Sequence, residues 1–245
     1  MKKRIVIFVI VLIITAVRIK SMDSHRISGR ILAENIAGPG MLRLVEQSMQ
    51  ARARKTSVTE IAVKERKHPQ AALTFDDGPD IRYTPLLLDG LKERNVRVSF
   101  FLLGEKVEQY PELVERMQKE GHLVGNHTYH HVQLNKLNET KAREEILKTN
   151  NLIYETTGVY PLYLRPPFGA WKKNLELCVE MLPVFWTIDT LDWKVQNTEK
   201  IVRTVQEQIE DGAIILMHDE YDTSVEAALQ VVDELKNQEY ELVTV

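Results

Sequence analysis

From residue 71 onward, short apolar runs of strand character alternate with segments of helical period. The runs fall at 71–75, 96–103, 123–125, 163–165, 184–189, 213–218 and 241–245. Between them, helical spacing of apolar residues covers 84–94, 111–120, 139–157, 172–181, 199–210 and 224–237. Pro111 suits a first helical turn and Gly121 a C-terminal cap, which frames one of these helices at both ends. Alternation of this kind predicts an α/β fold around a parallel sheet, open or closed into a barrel. A chain of 245 residues is an ordinary size for one such barrel. No internal repeats or low-complexity tracts interrupt the pattern.

Polar residues are placed unevenly within it. Asp76 and Asp77, His127, Arg165, Asp189 and Asp192, and His218 each fall at or just past the C-terminal end of a predicted strand. In a parallel barrel those ends share one rim, where reacting groups collect. Two consecutive carboxylates and a pair of imidazoles at positions i and i+4 are the parts of a mononuclear hydrolytic metal site. A helical turn over residues 127–131 would place His127 and His131 on one face, but His130 at i+3 shares that face, so spacing leaves the second imidazole open.

Five stretches carry a resemblance. Thr74-Phe75-Asp76-Asp77-Gly78-Pro79, His127-x-x-x-His131, Arg165-Pro166-Pro167-Phe168-Gly169, Asp189-Thr190-Leu191-Asp192-Trp193 and Leu216-Met217-His218 resemble, in order, the five motifs of the polysaccharide deacetylases, carbohydrate esterase family 4. The resemblance covers residues 71 to about 220. It implies a distorted (β/α) barrel of parallel strands with fewer than eight regular βα units. It also implies a divalent metal, zinc first and cobalt or manganese as alternatives, on Asp77, His127 and His131. Asp76 would then be the general base, paired with Arg165, and His218 the general acid, oriented by Asp192 with its pKa raised. The Phe168 N–H would face the developing oxyanion, Trp193 would pack beside the acid, and Leu216 would line the acetyl pocket. Asp189 is either a site residue or a hydrogen-bond partner behind it, and Trp171, Trp186 and His122 are assigned no catalytic role. With the last predicted strand reaching Val245, a family helix beyond it is not expected.

The activity implied is hydrolysis of the N-acetyl group of N-acetylhexosamine units in a polysaccharide. Peptidoglycan N-acetylglucosamine comes first as substrate, then chitooligosaccharides, then acetylxylan. Other classes to weigh are a non-catalytic carbohydrate-binding wall protein and a phosphoesterase, which would need a second metal-ligand set that the sequence does not offer.

Composition supports a globular enzyme, with 44% hydrophobic and 27% charged residues. The formal charge of −3 conceals an asymmetry: residues 1–69 carry 14 Lys and Arg against 5 Asp and Glu, and residues 70–245 carry 18 against 30. Positive charge thus lies away from the chemistry, which argues against nucleic acid as partner. One cysteine, Cys178, excludes an internal disulfide framework, and its helical-looking surroundings predict a buried structural thiol. Lys2-Lys3-Arg4 precedes an apolar run from Ile5 to Val17, the layout of an export signal. That run spans only about 20 Å as a helix, so flanking Lys and Arg would have to snorkel for it to remain as an anchor. The domain reading is a signal or membrane anchor at 1–20, a basic stem at 21–69 and a deacetylase domain at 70–245. Residues 1–20 place the protein outside the cell, anchored or secreted, and a monomer is expected.

Overall fold

The computed structural model describes residues 67–171 and 181–245. The expected export segment, the stem up to residue 66, most of the helix expected at 172–181, and Cys178 lie outside these residues. Strand β1 (Gln70–Asp76) runs through the centre, with Ala71, Ala72, Leu73 and Phe75 each at most 4% exposed. An apolar run without alternation is what a parallel strand covered on both faces requires.

The other strands are β2 (Ser99–Leu102), β3 (Leu123–Asn126), β4 (Tyr163–Leu164), β5 (Leu182–Pro183), β6 (Ile188–Asp189), β7 (Ala213–His218) and β8 (Glu241–Leu242). Among the described residues all pairings are parallel, and the sheet runs β5-β4-β3-β2-β1-β7-β6, with β8 beside the start of β1. Among the described residues β5 and β6 do not pair with each other, so the barrel is distorted and incomplete, as the resemblance implied.

The α-helices among the described residues are α1 (Tyr83–Glu93), α2 (Gly104–Gln109), α3 (Pro111–Lys119), α4 (Glu139–Thr157), α5 (Asp192–Val195), α6 (Thr198–Gln208) and α7 (Asp222–Asn237), and apolar residues recur on one face of the longer ones. In α1, Leu87, Leu88 and Leu91 are fully buried against the sheet. Burial of each contributes about 2 kcal/mol. The ends of α4 are written locally: the Asn138 side chain accepts the Lys141 N–H at 2.9 Å, and Gly158 closes the helix in the left-handed region at φ 73°. Among the described residues no helix is long and apolar enough to cross a membrane.

One predicted strand is corrected. The run at 184–189 is not a single strand, because its two ends serve opposite edges of the sheet. Val184 N–H donates to Leu164 O at 2.8 Å, continuing the β4–β5 pairing, whereas Thr187 N–H donates to Ile214 O at 2.9 Å, leading into the β6–β7 pairing. The intervening residues carry the chain across the gap in the barrel. The short helices α2 and α5 have too few turns to leave a periodic signal.

Candidate metal centre and catalytic site

The rim forms as expected. Asp76 ends β1, His127 follows β3, Arg165 follows β4, Asp189 ends β6 and His218 ends β7. Register makes Asp76 and His218 direct partners on neighbouring strands.

Asp77, His127 and His131 each offer one ligand atom, all within 4.8 Å of one another. His127 Nε2 lies 3.4 Å and His131 Nε2 3.5 Å from Asp77 Oδ1. The two imidazoles do not share a helical turn: residues 127–131 form a loop, with Thr128 at φ 67° and His131 at φ 54°. Polar side chains hold this unusual path. Asn126 Oδ1 accepts the Thr128 N–H at 2.7 Å, while its Nδ2 donates into α4, to Ile146 O and Asn150 Oδ1. Glu145, also on α4, accepts the N–H groups of Tyr129 and His130 and pairs with His130 Nδ1 at 2.8 Å. That turns His130 away from Asp77 and leaves His131 facing it.

These residues fit a divalent cation. Asp77 Oδ1 is buried without a hydrogen-bond partner. His127 Nδ1 donates to Arg165 O at 2.6 Å, which leaves Nε2 as the free lone pair on the Asp77 side. Burial pushes the His127 imidazole down to about 3, the neutral form that a ligand must take.

Asp76 and Arg165 form a buried ion pair beside this trio. Arg165 Nη1 donates to Asp76 Oδ1 at 2.9 Å and to Thr74 Oγ1 at 2.6 Å. The guanidinium is fully buried, over the Phe101 ring at 4.2 Å, and its Nη2 donates to Phe185 O at 3.4 Å. Burial raises the Asp76 carboxyl above the usual carboxylate range, and the charge of Arg165 opposes that rise.

On the other side, His218 Nδ1 pairs with Asp192 Oδ1 at 2.7 Å. Burial alone would depress this imidazole; the Asp192 hydrogen bond and charge, with Asp76 and Asp77, push it up to about 9. Burial alone would raise Asp192, and its bonds to His218 hold it below the usual range. His218 Nε2 is left 3.8 Å from Asp77 Oδ2.

The remaining expected residues surround this centre. Phe168 takes φ 59° and sets its exposed ring 4.5 Å from that of His131. Leu216 is buried two residues before His218 and so shares its face of β7. Trp193 is half exposed on α5, next to Asp192. Asp189 Oδ1 accepts the Leu191 N–H at 3.0 Å, which shapes the turn into Asp192. Three residues with structural roles at the site were missed: Thr74, Asn126 and Glu145. Thr74 was detectable as a polar residue inside an apolar strand. The others act through contacts distant in sequence.

Comparison with known proteins places this geometry in context. The family model for polysaccharide deacetylases matches residues 63–184. The chain is 41% identical over 182 residues to the peptidoglycan-N-acetylglucosamine deacetylase PgdA of Listeria monocytogenes, covering 74% of this chain but only 39% of that protein. It thus spans about two-fifths of that relative's length. A peptidoglycan-N-acetylglucosamine deacetylase of Bacillus cereus is 36% identical, covering 71% of this chain and 85% of that one. The solved structure of the peptidoglycan deacetylase PdaC from Bacillus subtilis superposes with a TM-score of 0.71 at 41% identity, covering 73% of this chain and 89% of that one.

Proposed function

This chain belongs to the polysaccharide deacetylase family, and we propose that it hydrolyses the N-acetyl group of N-acetylhexosamine units in a polysaccharide, with peptidoglycan N-acetylglucosamine as substrate. The observation that carries the reading is the placement of two proton-transfer groups around one ligand trio. Asp76 Oδ2 lies 3.7 Å from His127 Nε2, and His218 Nε2 lies 3.8 Å from Asp77 Oδ2.

Asp77, His127 and His131 would hold a divalent metal, zinc before cobalt or manganese, which when bound supplies Lewis acidity and a lowered pKa for water. Asp76 takes the proton of the attacking water, with Arg165 fixing its free oxygen towards the trio. The Phe168 N–H donates to the oxyanion that develops on the acetyl carbonyl. His218, protonated at neutral pH, gives its proton to the departing nitrogen, and Asp192 keeps it charged and oriented. Leu216 receives the acetyl methyl and Trp193 flanks the sugar beside the acid. Water and amide are consumed, and acetate and free amine are released.

The names of the relatives support a cell-wall glycan as substrate, and two different sugars occur among them: N-acetylglucosamine for the Listeria protein and N-acetylmuramic acid for PdaC. The basic residues and apolar run at the N-terminus support export, with the enzyme anchored at the outer face of the membrane. The test is acetate release by the full chain from peptidoglycan, chitooligosaccharides and acetylxylan, after chelation and again with zinc restored. Zinc-dependent release is expected, greatest from peptidoglycan, with the new amine on glucosamine. A metal-loaded protein that releases no acetate from any of the three would overturn the reading.

A further inference from the structure

Asp219 is a fully buried carboxylate with no part in the chemistry above. It directly follows His218, and its Oδ2 accepts the hydroxyl hydrogen of Thr84. Thr84 Oγ1 in turn accepts the Asp80 N–H at 2.7 Å, just past the turn that carries Asp76, Asp77 and Gly78. The other oxygen, Oδ1, is buried without a hydrogen-bond partner. A buried polar atom left so needs a reason.

Burial raises this carboxyl to about 7, where Oδ1 can carry a proton, and the same group faces Gly78. A side-chain carbon there would fall 2.8 Å from Asp219 Oδ2 and 3.0 Å from Cγ, and closer still to Oδ1. The backbone of Gly78 is not left-handed, so its conformation does not demand glycine. The Asp219 carboxylate is what excludes a side chain. On its other side the turn is tied to the end of β2, where Gly78 O accepts the Leu103 N–H at 3.2 Å. The turn is therefore gripped between β2 and Asp219, one step beyond the register pair Asp76 and His218.

We propose that Asp219 is a positioning residue: its carboxylate sets the distance between the turn bearing Asp76 and Asp77 and the strand end bearing His218. The catalytic part of this inference rests on the deacetylase reading; the part concerning the ligand turn does not.

The experiment compares Asp219→Ala, Asp219→Asn, Gly78→Ala and the double variant Gly78→Ala/Asp219→Ala in the full chain. The readouts are kcat and KM for acetate release, zinc affinity by chelator competition, and thermal melting to verify folding. Asp219→Ala and Gly78→Ala should each lower kcat by about 100-fold, since a displacement near 1 Å can cost that much. KM should stay within about twofold, and zinc affinity should weaken about tenfold. Asp219→Asn keeps the volume and the acceptor for Thr84, so it should retain kcat within about threefold. In the double variant the new methyl occupies the vacated space, and both readouts should recover at least about tenfold over either single variant.

Parent-like kcat and zinc affinity in Asp219→Ala would overturn the proposal, as would a double variant worse than both single ones. So would an Asp219→Asn as impaired as Asp219→Ala, because charge rather than position would then be responsible. A parent protein that releases no acetate refutes the deacetylase reading alone, since the zinc affinities of the four variants still decide the placement of the turn.

Discussion

Both oxygens of the Asp192 carboxylate are committed to His218: Oδ1 to the ring Nδ1 at 2.7 Å, and Oδ2 to the backbone N–H at 2.8 Å. The carboxylate therefore fixes the strand end as well as the imidazole, and it is fully buried while doing so. Removing its charge separates these two roles.

Asp192→Asn can still accept the backbone N–H but no longer offsets burial at the imidazole. The His218 pKa, held at about 9, should fall, so the protonated donor is lost at lower pH. We expect kcat to drop by about 100-fold and the alkaline limb of its pH profile to move to lower pH. A limb that stays in place would assign the proton donor to another group.

The two neighbouring histidines should separate cleanly by metal titration. His131→Ala removes a member of the trio and should weaken zinc binding by more than about 100-fold, beyond the 10–100-fold typical of a partner outside the ligand set. His130→Ala removes the Glu145 contact and the edge-on packing against Tyr129, neither of which is a ligand contact, and should stay within about tenfold. Asp77→Asn should abolish both zinc binding and turnover. Metal binding that is lost in His130→Ala but kept in His131→Ala would reverse the assignment.

Arg165→Met leaves Asp76 buried and unpaired. Losing one partner of a buried pair typically costs about 3–5 kcal/mol, measurable by denaturant unfolding. The Asp76 carboxyl, already raised by burial, loses the charge that opposes the rise, so the acidic limb of kcat should move to higher pH. Arg165→Met/Asp76→Leu removes both charges and should regain most of the stability while remaining inactive. A double variant no more stable than Arg165→Met would mean that the loss comes from packing over Phe101 instead.

His122 gives the fold an acid limit. It is buried edge-on to Phe100, with Nδ1 accepting the Val98 N–H at 3.2 Å, and burial pushes it down from 6.5 to about 4. The unfolded chain binds that proton more readily, so the stability present above pH 6.5 is lost as pH falls towards 4. This window should cost up to about 3 kcal/mol. His122→Asn should flatten the decline across the same window, measured by urea unfolding at a series of pH values; an unchanged slope would place the acid sensitivity elsewhere.

Legibility in the sequence followed the range of the interactions. Helix α4 and strand β7 have the bounds their patterns predict, because caps and apolar periodicity are local. The rim was equally readable, since a polar residue ending an apolar run is itself a local signal. Spacing alone did not separate His130 from His131, because Glu145, which engages His130, stands on a neighbouring helix. Asp219 lay beyond the last motif, and its meaning depends on Gly78, far away in the chain. The split at 184–189 was hidden for a related reason: both halves are apolar, and only their partners differ.

The segment that crosses the gap in the barrel is held from inside by Arg165, whose Nη2 reaches Phe185 O while Nη1 holds Asp76. The seam of the barrel and the Asp76 carboxylate, the proposed base, thus share one fastener. A disturbance that parts the seam, even briefly and without unfolding the rest, releases that carboxylate at the same moment. Catalytic competence should therefore report on a local opening that global melting never detects, and amide exchange at the seam should track turnover more closely than the melting temperature does.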